Sequence, residues 1–298
     1  MASSSRRDLL IGYGCAVFVM LLWVGFTLSS RYSAGGGVGV RMTPWDIGAL
    51  RFSVSGIVAS GLWLAGIGRG LAPSRGVVLA CLAGIGFALP AYVGFSMAPA
   101  AHGVVLLSGT LPFLAAIGTW WAFGERWGRA RRLSLGLLLV GIVLLGIESY
   151  GQARAPAGAW RGDLLFLLGS SSWAAFTVMA RRWGASPMQT VVSVGLGGAV
   201  LFLPVWWLVL PSRMLAAPVW EVAFQGFYQG LLAMVVSLSL YTLALARVGI
   251  ARVTTITAMT PGVAGLLAVP LLGEAIGPLA VMGLLLVCVA VAVGVRQT

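Results

Sequence analysis

The chain has 298 residues, of which 59% are hydrophobic and only 9% charged, and its net charge is +12. A soluble globular domain is about 25% charged, so this composition excludes an ordinary water-soluble fold. The positive charge is all arginine, and its distribution along the chain, given below, argues against a nucleic-acid partner.

Ten stretches are long and apolar enough to cross a bilayer core, which takes roughly 20 residues each. They run over about 9–30, 44–67, 76–97, 102–123, 132–149, 163–180, 188–210, 219–245, 249–271 and 276–295. Lipid offers no partner to a free backbone amide, so the expected class is an all-α integral membrane protein of ten transmembrane helices. The first stretch follows Arg6 and Arg7 but is longer than a signal-peptide core and ends in no small-x-small cleavage site, so it reads as a span. It carries Trp23, Phe26 and Thr27 on one helical face near its middle. Span two holds Asp46 and Arg51, read as a loose structural pair. Span three holds Pro90 and Tyr92; span four holds His102 near its end, then Ser108 and Pro112.

In the second half, span six carries Trp173, Phe176 and Thr177. Span eight carries Gln225, Tyr228 and Gln229 on one face, the pattern of side chains that line a cavity or bond a neighbouring helix. Span nine carries Thr257 and Pro261. Mid-helix proline removes a backbone hydrogen bond, so Pro90, Pro112 and Pro261 are expected helix kinks whose freed carbonyls could serve a zwitterion. Ser108 and Thr257 precede their prolines by four, and would hydrogen-bond either a substrate or the kinked backbone. Cys15, Cys81 and Cys288 lie inside spans without metal-ligand spacing and read as small buried apolar residues. No metal site and no cofactor is expected. The ten remaining tryptophans fall near span ends, as an interfacial belt does.

With the N-terminus inside, cytoplasmic segments hold Arg6, Arg7, Arg69, Arg75, Arg126, Arg129, Arg131, Arg132, Arg181, Arg182, Arg247 and Arg296, while outer loops hold only Arg31, Arg41, Arg154, Arg161 and Arg213. This follows the positive-inside rule and places both termini in the cytoplasm. Membrane lipids are thus one partner, and a nucleic acid is not.

The halves repeat. Trp23-x-x-Phe26-Thr27 recurs 150 residues later as Trp173-x-x-Phe176-Thr177. Tyr92, Pro112 and Glu125 recur 149 residues later as Tyr241, Pro261 and Glu274. Residues 1–149 and 150–298 are therefore read as two five-helix repeats. Five is odd, so the second half enters the membrane from the opposite side, which makes the pair inverted repeats. Such halves can exchange roles, the basis of alternating access. Trp23 and Trp173, deep and symmetry-related, would either frame an aromatic ligand or pack the halves together.

These motifs carry a resemblance to the bacterial drug/metabolite transporter superfamily, ten-helix type. Within it, Leu89-Pro90-Ala91-Tyr92-Val93-Gly94-Phe95 through Ala101-His102 is similar to the aromatic amino acid exporters. The resemblance implies a secondary transporter in the bacterial cytoplasmic (inner) membrane that exports tryptophan, phenylalanine, tyrosine and related small molecules. An exporter of another metabolite or drug class, or a lipid-linked flippase of the same fold, are the rivals. The expected substrate-binding set is Trp23, Phe26, Thr27, Tyr92, His102, Ser108, Trp173, Phe176, Thr177, Tyr228, Gln229 and Thr257. Neither a phosphate-binding glycine loop nor a Gly-x-Ser-x-Gly nucleophile motif occurs, so an ATPase or hydrolase is not expected. Oligomeric state is not set by the sequence; a monomer is compatible with it.

Overall fold

A computed structural model describes residues 6–34, 42–98, 100–152, 157–272 and 277–295, and these are all-α. Among the described residues, eight helices are long and apolar enough to cross a membrane. They are α1 (Arg6–Ala34), α2 (Pro44–Leu64), α3 (Pro73–Met97), α4 (His102–Phe123), α5 (Arg129–Gln152), α6 (Ala159–Arg182), α7 (Pro187–Leu208) and α8 (Val219–Val248). Over the stretches expected as spans nine and ten, the described residues form two further elements. The first, α9, consists of Ile250–Thr257 and Thr260–Leu272; the second, α10, is Pro278–Val295. Glu274 lies outside the described residues.

Helix ends carry the free amides that an apolar environment penalises most, and two of them are closed by side chains. Thr43 Oγ1 accepts from Asp46 N at 3.2 Å while Asp46 Oδ2 accepts from Thr43 N at 2.9 Å, ahead of Pro44 at the first turn of α2. Ser186 and Gln189 repeat the same reciprocal cap ahead of Pro187 in α7, at 3.2 Å and 2.9 Å.

The outward faces are apolar: Ile57, Leu64, Trp121, Val200 and Leu285 are all exposed. In water they would drive aggregation; against lipid tails they are solvated. Lipid also removes the hydrophobic reason for helices to associate, so close approach has to come from small residues. The crossing of α5 with α10 shows how. A Cβ at Gly141 would meet Gly283 O at 2.8 Å, and one at Gly283 would meet Gly141 O at 2.7 Å. At the α2–α7 crossing, a Cβ at Gly195 would lie 2.8 Å from Ser55 O. Further extensive contacts join α3 to α6 and α1 to α8. Cys81 and Cys288 are exposed on the apolar surface rather than buried, and Cys15 is half-buried.

Three helices are locally wound as π-helix: α3 over Ala80–Ile85, α4 over Val105–Gly109 and α8 over Gly226–Val236. Pro90 sits inside α3. Pro112 is the second residue of a helical segment that restarts after Thr110, and Pro261 is the second residue of Thr260–Leu272. In those two places the missing proline N–H falls in a first turn, where it has no carbonyl to reach. The chain therefore breaks just ahead of each proline instead of bending around it.

At one end of the bundle Arg247 pairs with Asp8, and Arg181 with Glu125 at 2.7 Å. At the other end Asp46 joins α2 to the loop after α7. Its oxygens accept from Trp206 Nε1 at 3.1 Å, Ser212 Oγ at 2.6 Å and Arg213 N at 2.9 Å.

Gly283→Leu forces α5 and α10 apart and is expected to cost about 1–3 kcal/mol, read as a clear drop in unfolding temperature in detergent. Gly136→Leu, also on α5 but with nothing near its Cβ position, should leave that temperature within about a degree.

Candidate functional site: an aromatic cavity at the centre

The matched tryptophans meet. Trp23 of α1 and Trp173 of α6 pack edge to face, with centroids 5.4 Å apart and planes at 84°. Tyr241 of α8 lies 5.5 Å from Trp23 and 5.4 Å from Trp173. Phe87 of α3 extends the cluster, 4.8 Å from Trp173 and 6.0 Å from Phe26. Each such pair is worth roughly 0.5–1.5 kcal/mol beyond the area it buries. The Trp23 indole N–H donates to Ser237 Oγ at 2.9 Å, which fixes the ring's rotation. Thr27 and Thr177 donate back to the carbonyls of Trp23 and Trp173, at 3.1 and 2.9 Å.

This cluster walls a small cavity. Trp23, Phe26, Thr27, Phe87, Ser108 and Trp173 line it, with Arg51, Leu107, Leu111 and Ala233. Ser108, Leu107 and Ala233 come from π-helical turns, and Phe87 lies two residues beyond one. A π turn rotates the residues after it and so re-aims side chains that a regular helix would turn away. The free room is about 20 Å³, enough for about one water molecule. The centre is therefore closed, and a ligand the size of an amino acid enters only if helices move apart.

The other expected site residues lie outside that wall. Tyr92 is fully buried and donates to Gln229 Oε1 at 2.9 Å. Gln229 Nε2 in turn donates to Ser29 Oγ at 3.1 Å, Ser30 Oγ at 3.3 Å and Gln225 Oε1 at 3.3 Å, tying α8 to α1. Tyr228 donates to Leu22 O at 3.0 Å. Phe176 packs in the core beside Trp173, and Thr177 shares a 2.9 Å hydrogen bond with the Tyr241 hydroxyl. Thr257 donates to Val253 O at 3.1 Å, satisfying its own helix end.

His102 belongs to a separate cluster at one bundle end. Its Nδ1 is 2.9 Å from Asp163 Oδ1, and its ring stacks on Tyr150 with centroids 3.5 Å apart. Burial, and then the Asp163 carboxylate, push the Tyr150 hydroxyl up to about 12, so it stays a neutral donor.

Five wall residues escaped the sequence reading: Arg51, Phe87, Leu107, Leu111 and Ala233. Phe87 carries no repeat partner or polar signal. Arg51 does carry one, being ionisable inside an apolar span, but the acid five residues earlier invited a pairing. Five residues turn a helix by roughly 140°, so the two side chains leave on different faces. Asp46 is held by the α7 loop, while Arg51 points to the centre.

Tyr92→Phe leaves Gln229 Oε1 buried without its donor. The expected loss is about 1–3 kcal/mol of stability, seen as a lower unfolding temperature of the purified protein.

Residues 160–296 match the EamA-like transporter family. A solved structure described only as a crystal structure of a protein is similar to this chain over 96% of each, at a TM-score of 0.71 and 21% identity. That likeness is one of fold. No curated protein matches the chain.

Proposed function

We propose that this multi-pass membrane protein is a secondary transporter that exports aromatic amino acids and similar small metabolites from the bacterial cytoplasm by alternating access. The match of the second half to a transporter family supports the general class. The aromatic substrate rests chiefly on one observation: a small central cavity is framed by two tryptophans, one from each half.

On this reading the chain is ten spans arranged as two inverted repeats, with both termini cytoplasmic. Several contacts support it. Trp23 lies on Trp173, α2 on α7 and α5 on α10, so residues and helices at matching positions of the two halves face one another. The reciprocal caps of α2 and α7 also stand at corresponding helices. Rocking one half against the other would open the closed centre to either face in turn. Trp23, Phe26, Phe87 and Trp173 would sort the substrate ring, while Thr27 and Ser108 offer hydroxyls. Tyr92, Phe176, Thr177, Tyr228, Gln229 and Thr257 would hold the helices that carry that wall. His102 with Asp163 would brace one end, and the breaks before Pro112 and Pro261 would be the places where spans four and nine flex.

Purified protein in liposomes should take up labelled tryptophan saturably, with phenylalanine and tyrosine competing and nucleobases or lipids not. Trp23→Ala and Trp173→Ala should each lower that uptake about tenfold or more, the equivalent of about 1.4 kcal/mol, with less loss in the phenylalanine variants. Uptake of tryptophan unchanged in both alanine variants contradicts the cavity assignment. Saturable uptake of a different metabolite class, indifferent to tryptophan, contradicts the aromatic one.

A further inference from the structure

Arg51 is 2% exposed and lies seven residues inside α2, about 10 Å along the axis at 1.5 Å per residue. Its Nε and Nη1 have no hydrogen-bond partner. Four acids are engaged elsewhere: Asp46 by Thr43, Trp206, Ser212 and Arg213, Glu125 by Arg181, Asp8 by Arg247 and Asp163 by His102. The Tyr92 hydroxyl, which donates to Gln229, accepts one hydrogen bond from the guanidinium and leaves Nε and Nη1 vacant. One turn along α2, the buried Ser55 Oγ is also without a partner.

A buried guanidinium with vacant donors is costly where nothing compensates it. Arginine cannot relieve that cost by losing its proton. The side chain lines the same cavity as the tryptophans, so the missing acceptor belongs on the cavity side. The repeat offset places Val200 or Leu201 at the matching position of the second half, both apolar and exposed. The cavity therefore has one charged wall, and the ligand it fits carries an aromatic ring and a single anionic group.

We propose that Arg51 is the anion-binding residue of the central cavity, and that it takes the carboxylate of the transported aromatic acid through the donors it leaves vacant. This rests on the transport reading above and adds a requirement to it: the substrate's carboxylate is necessary and its amine is not. The charge-assisted contact is worth about 1.5–3 kcal/mol, so losing it costs roughly ten- to a hundredfold in affinity.

The test is ligand-induced thermal stabilisation of the purified full chain. The panel is tryptophan, indole-3-propionate (ring and carboxylate, no amine), tryptamine (ring and amine, no carboxylate) and leucine. The wild type should be stabilised by tryptophan and indole-3-propionate and not by tryptamine. Arg51→Gln should lose both responses by tenfold or more in midpoint concentration, and Arg51→Lys should recover part of them. If Arg51→Gln does not fold, the wild-type preference for indole-3-propionate over tryptamine and the Arg51→Lys response still decide. Equal stabilisation by tryptamine and indole-3-propionate overturns the proposal, as does a wild type that no carboxylate stabilises, or an Arg51→Gln protein that binds indole-3-propionate normally. Stabilisation by leucine equal to that by tryptophan, and lost in Arg51→Gln, keeps Arg51 as the anion site while removing the aromatic reading.

Discussion

The constraint on which the rest depends is that lipid satisfies no hydrogen bond. Every amide and every polar side chain within the bundle must find its partner inside the protein. Regular helices meet most of that demand, and the reciprocal caps at Thr43/Asp46 and Ser186/Gln189 meet it where α2 and α7 begin. The remaining polar side chains turn inward and tie helices together: Gln229 to Ser29 and Ser30, Ser170 to the Leu107 carbonyl, Ser134 to the Ala290 carbonyl. Among the described residues, the buried side-chain atoms left without a partner are Ser55 Oγ, His102 Nε2, Trp173 Nε1 and two donors of Arg51, and of these Arg51 alone contributes two vacant donors on a permanently charged group.

Packing follows from the same medium. Since apolar surface gains little by leaving lipid for protein, close helix contact depends on fit. Gly141 against Gly283, and Gly195 against Ser55, bring backbones together along the two helix pairs α5/α10 and α2/α7. The centre is organised differently, by large rings from α1, α3, α6 and α8 around a space that holds about one water. Broken and π-wound segments cluster around those rings. On the proposed reading this division is mechanical: glycine crossings move as units, and irregular turns next to the cavity absorb the movement.

Sequence made the class legible because span length and the scarcity of charge are one-dimensional properties. The meeting of Trp23 with Trp173 was foreshadowed by their spacing and their depth in the spans. The roles of Tyr92, Tyr228 and Gln229 were not, because a polar residue on an inward face serves a cavity or a neighbouring helix equally well until the neighbour is known. Here each finds a protein partner. Phe87 was hidden because a π turn re-aims it, and periodicity assumes a regular helix. Arg51 was misread because a nearby acid looked sufficient, and only the third dimension shows Asp46 engaged with Ser212 and Arg213.

The central claim is that the closed aromatic cavity is the transport site and opens to each face in turn. Ser108→Cys, in a chain whose Cys15, Cys81 and Cys288 are replaced by serine, tests it most directly. An impermeant thiol reagent is applied to oriented vesicles from one face or the other. The account predicts modification from both faces, slowed in each case by tryptophan. A cysteine that reacts from one face only, or from neither, would contradict it.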